Sequence, residues 1–201
     1  MIKYLLILAL ILGGYFIYSW GDIPLAFALD TGFKSPASTG EDYNQWETPA
    51  DAFVSDDYYA TQSAVNQRQD YYDFTFAVPA GATIDGIEAT FEGDTADYYT
   101  GTMLNVDLSH DGGTTYASSI KEVVDNSNSP GDITVTIGGA TDTWGRTWTD
   151  SELSNANFRL RAENVNVIGT WGVDHIQIKV YYTEASGGPV EEHTRRHIFH
   201  R

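Results

Sequence analysis

The side chains best suited to chemistry in this 201-residue chain are rings and carboxylates. Four adjacent tyrosine pairs recur, Tyr58-Tyr59, Tyr71-Tyr72, Tyr98-Tyr99 and Tyr181-Tyr182. Neighbours on a strand point to opposite faces, so each pair in a strand sends one ring inward and one outward. An outward ring can stack on a sugar, or on a neighbouring subunit, while its hydroxyl stays wet. The competing role is to cover cross-strand neighbours. Tyr59, Tyr71 and Tyr181 are the candidate outward rings, and Trp144, Trp148 and Trp171 are candidates for a carbohydrate platform. Trp144 and Trp148 share a face if extended, although a capped turn directly after Trp148 argues for anchoring in the core.

The carboxylates suggest a different chemistry. Asp56-Asp57, Asp70 with Asp73, and Asp94 with Asp97 supply oxygen ligands on loop-like segments, which suits calcium. Asp56, Asp57, Asp94 and Asp97 are the metal candidates. With 28 acidic side chains in the chain, neighbours also arise by chance, and a solvated acidic surface is the preferred explanation, with calcium as the alternative. Patterns for catalysis are missing. A glycosidase needs two carboxylates at a defined separation, and this sequence offers too many to choose from. A serine triad lacks its G-x-S-x-G, and His110 and His175 are the two histidines outside the tail. Hydrolysis therefore stays as an alternative to a non-catalytic protein.

The elements that must position these groups are strands. Ile87, Ala89 and Phe91 alternate with Glu88, Thr90 and Glu92. Leu104, Val106 and Leu108 alternate with Asn105 and Asp107, and Ile133, Val135 and Ile137 with Thr134 and Thr136. Phe158, Leu160 and Ala162 oppose Arg159, Arg161 and Glu163, while Ile176, Ile178 and Val180 oppose His175, Gln177 and Lys179. Period two over Tyr72–Val78 puts Tyr72, Phe74, Phe76 and Val78 on one face and Tyr71 on the other. One buried and one wetted face is the mark of antiparallel sheets packed on one side. With less regular strands near 58–65 and 114–124, about eight strands predict an all-β, jelly-roll-like two-sheet sandwich. The one helical signal in the body is Thr149-Asp150-Ser151-Glu152, with the spacing of a capping box, from which Leu153 can drop into the core.

Composition sets the environment. The formal net charge is −17 and cysteine is absent. Such an anion repels phosphate backbones, which excludes nucleic acid as a partner. The lack of thiols removes disulfides, thiolate nucleophiles and cysteine-ligated metals. Lys3 precedes an apolar run from Tyr4 to Trp20, and the A-x-A of Ala26 and Ala28 follows Pro24. That order predicts a signal peptide over 1–28 and an exported product at a cell or particle surface. The run of about 17 residues also reaches the lower limit of a membrane span, so a retained anchor is the alternative. Residues 29–51 read as an extended lead-in, 52–184 as the sandwich, and 185–201 as a flexible basic tail after Ala185-Ser186-Gly187-Gly188-Pro189. In the tail, Arg195, Arg196, Ile198 and Phe199 are candidates for docking a partner, which includes another copy of the chain.

Two resemblances add to this reading. Ser109-His110-Asp111-Gly112-Gly113-Thr114-Thr115-Tyr116 resembles the Asp-box hairpin of secreted proteins, with tyrosine at its last position. A broader likeness runs from Trp46, Pro49 and Ala52 through Val78–Ile87 and Trp144–Thr149 to Asp174, Ile176, Ile178, Val180, Tyr181 and Tyr182. It resembles β-sandwich modules of secreted bacterial and phage-associated proteins. It implies a jelly-roll-like frame and a surface setting, and no catalytic residues. The sequence thus predicts a non-catalytic structural or adhesive surface protein, self-assembling through its tail, with a carbohydrate-binding module as the alternative. No cofactor is expected beyond calcium.

Overall fold

In the computed structural model, residues 28–95, 100–116, 119–127, 129–165 and 171–185 are described. Nine strands form two antiparallel sheets: β1 (Ala28–Asp30), β2 (Ser38–Asn44), β3 (Arg68–Tyr72), β4 (Thr83–Thr95), β5 (Gly101–Ser109), β6 (Lys121–Asp125), β7 (Gly131–Gly138), β8 (Arg159–Asn164) and β9 (Trp171–Thr183). One sheet has the order β1-β9-β4-β7 and the other β2-β3-β8-β5-β6. The all-β sandwich expected from the alternation is therefore present. The segment 29–51, expected as a lead-in, supplies most of β1 and all of β2, so it belongs to the sheets. Near 114–124 the strand is confined to β6, and near 58–65 only single bridges form, Glu47 with Thr61 and Ala60 with Val173.

The core follows the period-two phase. Ile87, Ala89 and Phe91 of β4 and Ile176, Ile178 and Val180 of β9 meet Leu104, Val106 and Leu108 of β5 and Leu160 and Ala162 of β8, all buried. The phase slips once, at Asp73, and then holds over 74–78, where Phe74, Phe76 and Val78 face inward and Thr75 and Ala77 outward. β3 stops at Tyr72, and Asp73, Thr75 and Ala77 adopt left-handed φ of 62°, 56° and 54°. Across Asp73 the inward side changes from that of Tyr71 to that of Phe74, so Tyr71 faces the core, Tyr72 the outside, and Phe74 and Phe76 both turn inward. Phe74 stacks on Phe76 with ring centroids 5.5 Å apart, and Phe158 meets both edge-on. Such ring pairs each contribute roughly 0.5–1.5 kcal/mol beyond their buried area.

The capping box forms as predicted. The Glu152 carboxylate accepts the backbone N–H of Thr149 at 2.8 Å, and a one-turn 3-10 helix over Asp150–Leu153 sends Leu153 into the core. Among the described residues, no helix is long and apolar enough to cross a membrane.

Candidate functional site

The outer face of the five-stranded sheet gathers side chains from all five of its strands or their flanks. β3 pairs with β8 so that Arg68 faces Glu163 and Asp70 faces Arg161. β8 pairs with β5 so that Glu163 faces Asn105 and Arg161 faces Asp107. These are the wetted positions of the alternation, since their neighbours Leu160, Ala162 and Val106 fill the core. The register therefore lays down a patchwork of opposite charges on rigid strands, where cross-strand pairs of opposite sign are favourable.

Arg161 is its centre. Its Nε and Nη2 donate to the two carboxylate oxygens of Asp70 at 2.7 and 2.8 Å. The guanidinium lies between two rings, 4.2 Å from the centroid of Tyr43 and 3.9 Å from that of Tyr116. A bidentate bond fixes the plane of the fork, and the two rings fix its position along the normal. Beside it, Arg68 donates through Nε to Glu163 at 3.0 Å and reaches the Tyr43 hydroxyl at 3.4 Å.

Tyr116 is delivered by the Asp-box-like turn. Asp111 accepts the Thr115 N–H at 2.7 Å, Ser109 Oγ accepts the Gly113 N–H at 2.9 Å, and Ser109 and Tyr116 form an antiparallel bridge. Gly113 has φ +95°, and a Cβ there would stand 2.8 Å from the Asp42 carboxylate. The positive φ calls for glycine, while the Asp42 carboxylate is the end of a flexible side chain that can move aside. The turn thus does more than close a hairpin, because its final ring becomes a wall over Arg161.

Between these groups lies an open cleft of about 220 Å³, lined by Arg68, Asn105, Asp107, Tyr116, Arg161 and Glu163, with Ile120 at its lip. Asp107 is half-buried in it. One of its oxygens accepts the N–H of Leu108 at 2.8 Å, and burial raises its carboxyl from about 3.8 to about 6, against the lowering effects of that hydrogen bond and of Arg161. Chemically, the cleft offers carboxylate acceptors, amide and guanidinium donors, and one aromatic wall.

The sequence candidates fall elsewhere. Trp144, Trp148, Trp171 and Tyr71 are buried, at 0, 3, 1 and 0% exposure, and present no ring face to solvent. Trp144 donates through its indole N–H to the Ile87 carbonyl at 3.0 Å, and Trp148 to the Thr143 carbonyl at 2.9 Å. Trp171 packs on β4 where Gly93 leaves room, since a Cβ at Gly93 would approach the indole to 2.9 Å. Tyr71 meets Trp46 and Phe53 edge-on inside the sandwich. These rings anchor the core instead of forming a platform. Tyr59 and Tyr181 are half-buried, with hydroxyls donating to Asp132 at 2.8 Å and Glu88 at 2.6 Å, far in the fold from the cleft's strands.

Of the metal candidates, Asp56 and Asp57 lie on an exposed loop, and Asp94 on β4 accepts the N–H of Gly131 at 2.7 Å. Asp97 lies outside the described residues, as do Arg195, Arg196, Ile198 and Phe199. Among the described residues, no group of three or more histidines or acids is arranged to hold a metal ion. Sequence reading passed over Arg68, Asp107, Tyr116, Arg161 and Glu163 as a site. The signal was there in the spacing: N-x-D at 105/107 and R-x-E at 161/163 are wetted positions of opposite charge on candidate strands.

Comparison with solved structures returns the CBM22-1 xylan-binding domain of Xyn10C from Paenibacillus barcinonensis. The two are similar with a TM-score of 0.34 and 10% identity, over 77% of this chain and 92% of that one. No family model matches the chain, and no curated protein matches it in sequence.

Proposed function

We propose that this chain is an exported, non-catalytic surface protein whose five-stranded sheet binds a neutral glycan in the Arg161 cleft. The observation that carries this reading is the clamp on Arg161. Tyr43, Tyr116 and Asp70 hold the guanidinium from three sides, so the polar lining is set before a ligand arrives and little ordering cost falls on binding. Glu163 and Asp107 accept from sugar hydroxyls, Asn105 and Arg68 donate to them, and Tyr116 packs on the apolar face of the ring. The volume is below the ~300–1,000 Å³ of pockets for drug-sized ligands, which suits a single residue of a longer glycan. The net charge of −17 disfavours acidic polysaccharides.

Binding is favoured over turnover because the acids of the face are mostly committed. Glu163 is tied to Arg68 and Asp70 to Arg161, which leaves Asp107 without the second free carboxylate that glycoside hydrolysis requires. The test is a neutral-glycan array probed with the wild type, Tyr116→Ala and Asp107→Asn. Binding lost in Tyr116→Ala supports the reading, and silence of the folded wild type across the array removes it. Release of reducing sugar that disappears in Asp107→Asn would replace it with an enzyme.

A further inference from the structure

We infer that the free edge of β7 is a docking strand for the C-terminal segment of a second copy of this chain. β7 stands at the end of the four-stranded sheet, pairs only with β4, and packs beside β6, the edge strand of the other sheet, without a backbone ladder between them. Among the described residues, no backbone hydrogen bond is made on its other side. An unpaired edge is a template for another strand, and natural edges are blunted by lysine, proline or an inward charge. β7 carries none of these between Ile133 and Gly138. Its core-facing residues Ile133, Val135 and Ile137 are β-branched and only half-buried, with Thr134 and Thr136 exposed on the other face. Each of the three aliphatics would gain cover from one more strand.

The occupant is argued from the chain itself. Within the segment 186–201, residues 193–201 are long enough to run along the eight residues of β7, at ~3.3 Å per residue when extended. They hold Arg195, Arg196 and Arg201 and no acid, while the whole chain is at −17. Asp94 and Asp132 lie opposite one another at one end of the β4–β7 pair, so a basic strand meets an acidic edge. Ile198 and Phe199 are adjacent, so pairing places one of them on the core side beside the half-covered aliphatics. Tail to edge is a head-to-tail contact, which lengthens into chains unless rotation closes a ring.

The test compares residues 28–201 with residues 28–185, which retain all nine strands, by sedimentation over a range of concentrations. Hydrogen exchange is then read at 131–138. The expected result is growth of mass with concentration for 28–201, a monomer for 28–185 and for the Ile198→Asp, Phe199→Asp double variant, and slowed exchange of 131–138 only in the assembled state. High salt and a free peptide of residues 193–201 should each return the assembly to monomer. A 28–201 chain that stays monomeric overturns the inference, whether or not 131–138 is protected, since protection in a monomer means the chain covers its own edge. Assembly that persists in 28–185, or protects another strand, overturns it as well.

Discussion

Asp70 on β3 and Arg161 on β8 stand directly opposite in register and share two parallel hydrogen bonds, with Asp70 at 1% exposure. A pair this enclosed has exchanged water for one partner, so removing either member strands the other. Breaking a buried pair costs about 3–5 kcal/mol.

Asp70→Asn should therefore lower the unfolding free energy by roughly 3 kcal/mol, and Arg161→Met by a similar amount. The double variant should lose less than the sum, because the second change no longer leaves a charge alone. Urea unfolding of the four proteins measures the cycle. Additive losses would show that the two side chains act independently.

Asp107 gives a pH dependence with two opposite signs. Its folded carboxyl is raised to about 6 by burial, from an ordinary value of 3.8. The folded state thus holds its proton more tightly than the unfolded one. Its contribution to stability is complete below about 3.8 and is lost as pH rises through about 6. Glycan binding runs the other way, because the acceptor is the ionised form, so affinity should rise over the same interval. Asp107→Asn should raise the melting temperature at pH 7.5 relative to wild type and flatten both profiles. Thermal melts and glycan titrations at pH 4.5, 6 and 7.5 check this.

Trp144 separates core from platform. Its indole N–H bonds the buried Ile87 carbonyl, and Lys121 lies 5.1 Å over the ring. Trp144→Phe removes one of two donors to that carbonyl, which keeps the Gly139 N–H at 3.0 Å, so the lost hydrogen bond costs about 0.5–1.5 kcal/mol. Chemical denaturation should show that loss, and glycan affinity of the folded fraction should be unchanged. A fall in affinity at full stability would restore the tryptophan to the binding surface.

How much of this was readable beforehand differs between fold and site. Alternation along β4, β5, β8 and β9 was visible because each of these strands buries one face and wets the other, so residue type tracks side-chain direction. The same rule misplaced Tyr71 and Tyr72, since the left-handed residue Asp73 shifts the phase without a glycine to announce it. At the site, the individual wetted residues were legible but their meeting was not. Asp70 and Arg161 are ninety-one positions apart, and only the pairing of β3 with β8 brings them together. Tryptophan misled for a different reason, because a large ring with one donor serves a core and a sugar platform equally well. Which it does depends on whether a carbonyl such as that of Ile87 awaits it inside.

The last prediction concerns how a turn reaches into the cleft. Burial alone would raise the Asp111 carboxyl, but hydrogen bonds from the Thr115 hydroxyl and N–H and from Ser109 favour its ionised form and hold it below the ordinary value. Stability from this group is present above about 3.8 and is lost as pH falls below it. Asp111→Ala removes the anchor that sets the turn's path into Tyr116, one side of the clamp on Arg161. The Thr115 N–H is exposed and can turn to water, so the stability loss should be small, about 1 kcal/mol. Glycan affinity should fall more steeply, by about tenfold, which corresponds to ~1.4 kcal/mol, because the ring is no longer held in place. Ser109→Ala strands the buried Gly113 N–H of the same turn, so it should lower affinity as well but cost more stability, about 1–3 kcal/mol. Unchanged affinity in Asp111→Ala beside a loss of stability would mean that the turn supports the fold without positioning the ring.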